Sequence, residues 1–224
     1  AVDSDGYITA ISKGTTTLTA KVNKKKYSCQ ITVYDKFIQD SALKKISHTD
    51  IETQSWIITD FKNDYDQKII LSGKIIYYLN SGEIVDYENI DSMFIEPNAA
   101  KNYAFYKPYD LNAGDYIHYD YYKFILDIAS GNNYVNVSDY LKIKSNRSGT
   151  QNVIVSISNT YSDTVEDLKI LCIFYLNGKI VDVDEADADW INSGSTDLVT
   201  CEANGNIMFD SYEIYLINDC CEIY

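Results

Sequence analysis

The sequence predicts an all-β protein built from tandem β-sandwich modules, with a shorter β segment in front. Two observations carry that prediction. The first is a duplication. Residues 75–86 read Ile-Ile-Tyr-Tyr-Leu-Asn-Ser-Gly-Glu-Ile-Val-Asp, and residues 172–182 read Cys-Ile-Phe-Tyr-Leu-Asn-Gly-Lys-Ile-Val-Asp. The echo reaches upstream, where Thr59-Asp60-Phe61-Lys62-Asn63 faces Val155-Ser156-Ile157-Ser158-Asn159 at a spacing of 96. It reaches downstream from Tyr119-Asp120 to Phe209-Asp210 after a shorter loop. A unit of roughly 90 residues is the size of a small domain and far longer than a solenoid period. The second observation is composition. The chain of 224 residues holds 21 Tyr and only 2 Pro, and its apolar residues are 46% of the total. Tyr, Ile, Val and Thr suit half-buried pleated surfaces, and no long segment shows a helical period.

Residues 1–34 alternate with period two. Tyr7–Ile11, Thr17–Val22 and Tyr27–Val33 read as three strands, separated by Gly14 and the Asn23-Lys24-Lys25-Lys26 run. Residues 35–50 read as a connector. The repeats then give strands at Ser55–Phe61, Lys68–Leu79 and Tyr116–Leu126, and at Asn152–Ile157, Asp167–Leu176 and Ile207–Ile217. Asn80-Ser81-Gly82 and Asn177-Gly178 are hairpin turns, because Asn and Gly tolerate positive φ. Pro97-Asn98 and Ser193-Gly194 mark the next corner. The expected organisation is 1–34, 35–130 and 131–224. Positions apolar in both copies are expected inside: Phe61 with Ile157, Tyr78 with Tyr175, Ile84 with Ile180, Phe94 with Trp190, Tyr122 with Tyr212, Phe124 with Ile214, and Leu126 with Leu216. Lys123 with Glu213 and Tyr121 with Ser211 are expected outside.

Net charge is −14, distributed as +3 over residues 1–34 and −10 over residues 135–224. An acidic surface repels phosphate backbones and anionic lipid, so no nucleic-acid partner is expected. No apolar run approaches the roughly 20 residues that span a bilayer, so no membrane insertion is expected of this segment. Ala1 opens on neither an initiator Met nor a signal peptide, and the chain reads as a piece of something longer. The 5 Cys are an odd number, so one is left over from any internal pairing. Cys29 and Cys172 sit in strand patterns as small buried hydrophobes, while Cys201 has Cys220 and Cys221 as candidate partners.

The string Val2-Asp3-Ser4-Asp5-Gly6-Tyr7-Ile8-Thr9-Ala10-Ile11-Ser12-Lys13-Gly14-Thr15-Thr16-Thr17-Leu18-Thr19-Ala20 resembles the second half of a bacterial Ig-like domain of group 2. Its front strands are missing from the match. Both repeats resemble the bacterial domain named for its phenylalanine-x-leucine-tyrosine-aspartate motif. The resemblance rests on Asn63 and Asn159, on the segment at 175–182, and on Asp210-Ser211-Tyr212-Glu213-Ile214-Tyr215-Leu216. The motif core reads Tyr77-Tyr78-Leu79-Asn80 and Phe174-Tyr175-Leu176-Asn177, with Asn where Asp is usual. The resemblances imply tandem Ig-like β-sandwich modules preceded by a partial Ig-like domain. They also imply a bacterial extracellular setting, secreted or attached to the cell wall, as in adhesins and glycan-active proteins.

Candidate chemistry is sparse. Of the 2 His, His48 lies in a polar connector and His118 in a Tyr-rich strand, and neither is framed as a base beside a nucleophile. Acidic residues are too numerous to single out a carboxylate pair. Asp182-Val183-Asp184-Glu185-Ala186-Asp187-Ala188-Asp189 is the densest acidic run, yet Ala186 breaks the calcium-loop ligand order, so it reads as a solvated loop. No metal, cofactor or catalytic residue is expected. The Tyr cluster from Tyr103 to Tyr122 is the strongest binding candidate, and Tyr106, Tyr109 and Tyr121 are its expected outward members. The expected function is non-enzymatic spacing and adhesion, with a surface protein or a glycan as partner. The alternative is a glycan-binding accessory module of a secreted carbohydrate-active enzyme.

Overall fold

A computed structural model describes residues 7–9, 11–22, 24–33, 37–205 and 207–222. The chain divides into two compact units, Ala1–Ile38 and Gln39–Tyr224.

In the first unit, β1 (Gly14–Val22) and β2 (Lys25–Val33) form an antiparallel ribbon that turns at Val22↔Lys25. Lys24 adopts φ 67° there. Of the expected first strand, Ile8 makes only an isolated bridge and Ala10 lies outside the described residues. Residues 1–6, Asn23 and residues 34–36 lie outside them too. Cys29 is exposed, contrary to expectation. Alternation sorts residues onto two faces, but a face becomes buried only where another layer covers it.

The second unit begins with a short helix, α1 (Gln39–Leu43), where the sequence suggested connector. The first repeat then gives β3 (Ile46–Glu52), β4 (Trp56–Asn63), β5 (Ile69–Tyr78), β6 (Ile84–Ile95), β7 (Ala100–Tyr106), β8 (Tyr109–Asp110), β9 (Asp115–Tyr116) and β10 (Tyr121–Ser130). The second gives β11 (Tyr134–Asn136), β12 (Leu141–Ser148), β13 (Asn152–Asn159), β14 (Val165–Leu176), β15 (Lys179–Ile191), β16 (Thr196–Glu202), β17 (Ser211–Leu216) and β18 (Cys220–Glu222).

Both repeats place two antiparallel three-stranded sheets face to face. In the first the orders are β3-β4-β7 and β10-β5-β6, and in the second β12-β13-β16 and β17-β14-β15. The layers meet through aromatic contacts in the first repeat, where Phe124 stands 5.2 Å from Phe61 and 5.6 Å from Phe105. Val153, Val155, Ile157, Cys172, Phe174 and Cys201 belong to one buried cluster in the second repeat, to which the first contributes no residue. Each fully buried side chain of this size stabilises by about 1.5–3 kcal/mol. Outside the duplicated plan, β11 pairs with β18.

The duplication is visible in bonds as well as strands. Asn63 and Asn159 are 0% and 1% exposed. The Asn63 amide donates to the carbonyls of Gln67 (3.0 Å) and Ile95 (3.1 Å), and its oxygen accepts the Tyr65 N–H (3.0 Å). The Asn159 amide donates to Asp163 and Ile191 (2.8 Å each), and its oxygen accepts the Tyr161 N–H (2.8 Å). Both side chains therefore stitch a strand end to the following loop and to the partner sheet. A second pair of equivalents, Asp120 and Asp210, accepts the N–H of Asn80 (2.6 Å) and Asn177 (2.7 Å), holding the hairpin turns. Asn177 and Gly178 take φ 53° and 72°, as the two-residue turn requires. The repeat spacing lengthens from 96 to 97 where β5–β6 shifts register between Leu71 and Gly73. Gly73 has φ 143°, and a Cβ there would run into the Ile125 carbonyl.

Several inward expectations need correction. Tyr77 and Phe174 point into the cores at 1% and 0% exposure, so their neighbours Tyr78 and Tyr175 are only partly buried. Ile84, paired with Tyr78 at the hairpin end of β6, is exposed. Phe94 is fully buried while Trp190 is 65% exposed. The difference has a local cause. Phe94 is overlaid by Tyr134 (ring centroids 6.4 Å apart) and by the Lys68 ammonium at 5.7 Å.

The repeats are joined side by side through polar bridges. Lys101 pairs with Asp219 at 2.6 Å, Lys169 with Asp91 at 2.5 Å, and the Trp56 indole N–H donates to Asp182 at 3.0 Å.

Asn159→Ala is expected to lower unfolding free energy by about 3 kcal/mol, since it strands buried backbone acceptors and a donor. Asn63→Ala should cost a similar amount. Urea unfolding of the two variants measures both, and a loss below about 1 kcal/mol for each would remove the asparagines from this role.

Candidate functional site

The tyrosines converge on one end of the first repeat. The β8–β9 hairpin, Tyr109↔Tyr116 and Asp110↔Asp115, folds over this end and has no counterpart in the second repeat's described residues. Asp110 sets the hairpin by accepting the N–H groups of Asn112 (2.8 Å) and Ala113 (3.2 Å), and those bonds hold its carboxyl below the usual range.

The sequence-predicted residues fall into two places. Tyr106 and Tyr109 share one recess. Their rings lie 6.2 Å apart, and Tyr106 also packs edge-on against Trp56 at 5.0 Å. The Tyr106 hydroxyl meets the Tyr116 hydroxyl at 3.2 Å, and that bond, with burial, pushes its pKa up to about 12. Tyr121 lines a separate open groove of about 760 Å³ with Glu52, Lys107, Tyr116, Tyr119 and Tyr122. Its ring stacks on Tyr78 at 5.1 Å and 10°, and the Lys123 ammonium lies 5.4 Å from its centroid. That use of its faces leaves Tyr121 less free than alternation suggested. Tyr103 and Phe105 are buried core residues at 4% and 0% exposure.

The recess of Tyr106 and Tyr109 occupies about 320 Å³ and is also lined by Tyr77, Asp86, Tyr87, Glu88, Lys107, Pro108 and Leu111. Lys107 is engaged by Glu52 at 2.9 Å. Burial lifts the Glu88 carboxyl to about 7, aided by the charge of Glu185 across the repeat junction. Sequence reasoning missed Tyr77, Tyr87 and Glu88. Their shared feature, proximity to a hairpin 20 or more residues away, leaves no local signal.

Glu185 is a second acid whose carboxyl burial perturbs. Its carboxyl is also lifted to about 7, chiefly by burial and against the pull of Lys169. Its Oε1 is buried without a hydrogen-bond partner among the described residues. The acidic run 182–189 is strand β15 and not the expected solvated loop. Its acids have structural work: Asp182 accepts the Asn204 N–H at 2.6 Å, and Asp184 the Glu202 N–H at 2.8 Å. Among the described residues, no group of at least three His, Cys, Asp or Glu is placed to hold a metal ion.

The remaining candidates are structural in their contacts. His48 lies in β3 and not in a connector, 3.0 Å from Asp50 and edge-on to Phe124 at 4.7 Å. His118 lies between β9 and β10, 3.2 Å from Asp120. All 5 cysteines are free. Cys172 and Cys201 share the second core, and the Cys201 thiol, with burial, pushes the Cys172 thiol up. Cys221 donates instead to the Thr164 carbonyl at 3.5 Å.

No family model matches the chain, and no curated protein matches it either. No helix among the described residues is long and apolar enough to cross a membrane.

The two raised carboxyls have a stability consequence. Glu88 and Glu185 bind protons more tightly in the folded chain than at their ordinary value of 4.5. Their contribution is fully present below about pH 4.5 and is lost as pH rises through about 7. Thermal unfolding should show wild type losing stability over that window relative to Glu88→Gln/Glu185→Gln. Parallel curves for the two proteins would refute the coupling.

Proposed function

We propose that the chain is a non-enzymatic piece of a bacterial cell-surface or secreted protein, in which tandem Ig-like β-sandwich modules space and present a binding face. In this reading residues 1–34 are part of a group 2 Ig-like domain, and 35–130 and 131–224 are two related modules. The mechanism is non-covalent recognition without turnover. The observation that carries it is an asymmetry. Two repeats share one strand order, yet among the described residues only the first carries the β8–β9 hairpin with its cluster of tyrosines. A scaffold needs neither, so the addition supports a recognition role on the first repeat. Paired ammonium and carboxylate groups between the repeats support a spacer that holds its two parts in register.

A second reading, a glycan-binding accessory module, is favoured by the aromatic recess with carboxylates on its wall. Tyrosine faces stack on sugar rings, and carboxylates accept from sugar hydroxyls.

The two readings predict different binding data. In the adhesive reading the chain is retained on immobilised fibronectin or collagen and ignores oligosaccharides. In the accessory reading it binds an oligosaccharide array, and Tyr106→Ala/Tyr109→Ala abolishes the signal while Tyr121→Ala weakens it less. Loss of neither interaction in a Tyr106→Ala/Tyr109→Ala/Tyr121→Ala protein would exclude this face from recognition.

A further inference from the structure

We infer that Tyr77 is the buried anchor of a carbohydrate subsite in the Tyr106–Tyr109 recess, its phenol supplying a hydrogen bond to a hydroxyl of a neutral sugar ring. The inference rests on the glycan-binding reading above and names the ligand class and the contact that reading lacks.

Three observations converge on Tyr77. It lines the recess together with Asp86, Tyr87, Glu88, Tyr106 and Tyr109. The residue is 1% exposed, and its hydroxyl is buried with no hydrogen-bond partner among the described residues. Buried polar groups in folded proteins are nearly always paired, and leaving one unpaired costs about 1–3 kcal/mol. An unpaired phenol on the wall of a recess is therefore either a defect or a group waiting for a ligand atom. Glu88 and Asp86 of the recess lie near enough for their charges to act on its hydroxyl, as do Tyr119 and Tyr122 of the neighbouring groove.

The lining selects the ligand. Tyr87 and Tyr106 remain 58% and 39% exposed, so aromatic surface is available for an apolar sugar face. Lys74 lies 5.2 Å from the centre of Tyr87 and takes up part of that surface. Asp86 and Glu88 offer acceptors, and Tyr77 a donor. Lys107, the one cation lining the recess, is held by Glu52 at 2.9 Å, and an anion would face the Asp86 carboxylate and, above about pH 7, that of Glu88 as well. A phosphate, sulfate or acidic sugar is disfavoured on charge alone. A flat peptide would stack on the tyrosines, but a ligand with closely spaced hydroxyls answers the carboxyl acceptors and the Tyr77 donor together. Tyr121, in the neighbouring groove with its faces engaged by Tyr78 and Lys123, lies outside this subsite.

Tyr77→Phe tests this with a single oxygen. Because that oxygen has no partner to lose, urea unfolding of Tyr77→Phe should match wild type or show added stability. Titration calorimetry with cellohexaose, xylohexaose, mannohexaose and chitohexaose reads binding. The expected result is roughly fivefold weaker binding of whichever oligomer the wild type takes, the effect of one neutral hydrogen bond. Tyr77→Phe binding at wild-type strength overturns the inference and leaves the glycan reading standing. Wild type binding none of the four oligomers overturns both. A marked loss of stability in Tyr77→Phe overturns it as well, since the hydroxyl would then have a structural partner.

Discussion

The buried carboxamide of Asn63, and its counterpart Asn159, is the constraint on which each sandwich depends. A β-sandwich must carry the chain from one sheet to the other, and the crossing loop brings backbone carbonyls into a dry corner. One primary amide satisfies that corner in each repeat. Its N–H groups serve the loop carbonyls of Gln67 or Asp163 and the strand carbonyls of Ile95 or Ile191. Its oxygen caps the N–H of Tyr65 or Tyr161. The arrangement ties β4 to β5 and β6, and β13 to β14 and β15, before any side-chain packing is counted. An aspartate in the same place has no donor, and a leucine has neither function. The same residue at the same place in both copies follows from that chemistry.

On this frame the repeats diverge where the frame permits. In the first, Ile75 and Phe105 occupy the core positions that Cys172 and Cys201 hold in the second, as their strand partners show. At these two positions the second core therefore carries thiols where the first carries an aliphatic chain and a phenyl ring. At the exposed end, the first repeat adds the β8–β9 hairpin, and the surrounding tyrosines share hydroxyl bonds with Ser55, Glu52 and Asp50. These bonds fix those three phenols, whereas the Tyr77 hydroxyl is buried with no hydrogen-bond partner among the described residues. Between the repeats run ion pairs, the Trp56–Asp182 hydrogen bond and the Phe94–Tyr134 ring contact. The junction is consequently sensitive to charge, while each interior is not.

The sequence carried the duplication far. The hairpin turns at Asn80-Ser81-Gly82 and Asn177-Gly178, and the burial of Phe61 and Ile157, were legible because turn residues and period-two alternation are local signals. The direction of neighbouring residues was not. Tyr78 and Tyr175 are as apolar as Tyr77 and Phe174, and a one-residue choice of phase reverses which pair is inside. Trp190 and Phe94 are chemically alike, and the cover over Phe94 comes from Tyr134, 40 residues onward. The candidate site was half legible. Tyr106 and Tyr109 stood out by composition, whereas Asp86 and Glu88 read as ordinary acids of an acidic chain.

What the sequence determined by itself is the all-β class, the repeated unit and its turns, because each follows from residue type within a few positions. The tertiary structure alone decided which tyrosines are paired, that the acidic run is a strand, and that Glu88 and Glu185 are each buried enough to hold their protons to about pH 7. Those outcomes depend on which layer lies above a given face. Burial and charge proximity are properties of three-dimensional neighbours, and in a sandwich the neighbours that matter are tens of residues apart along the chain.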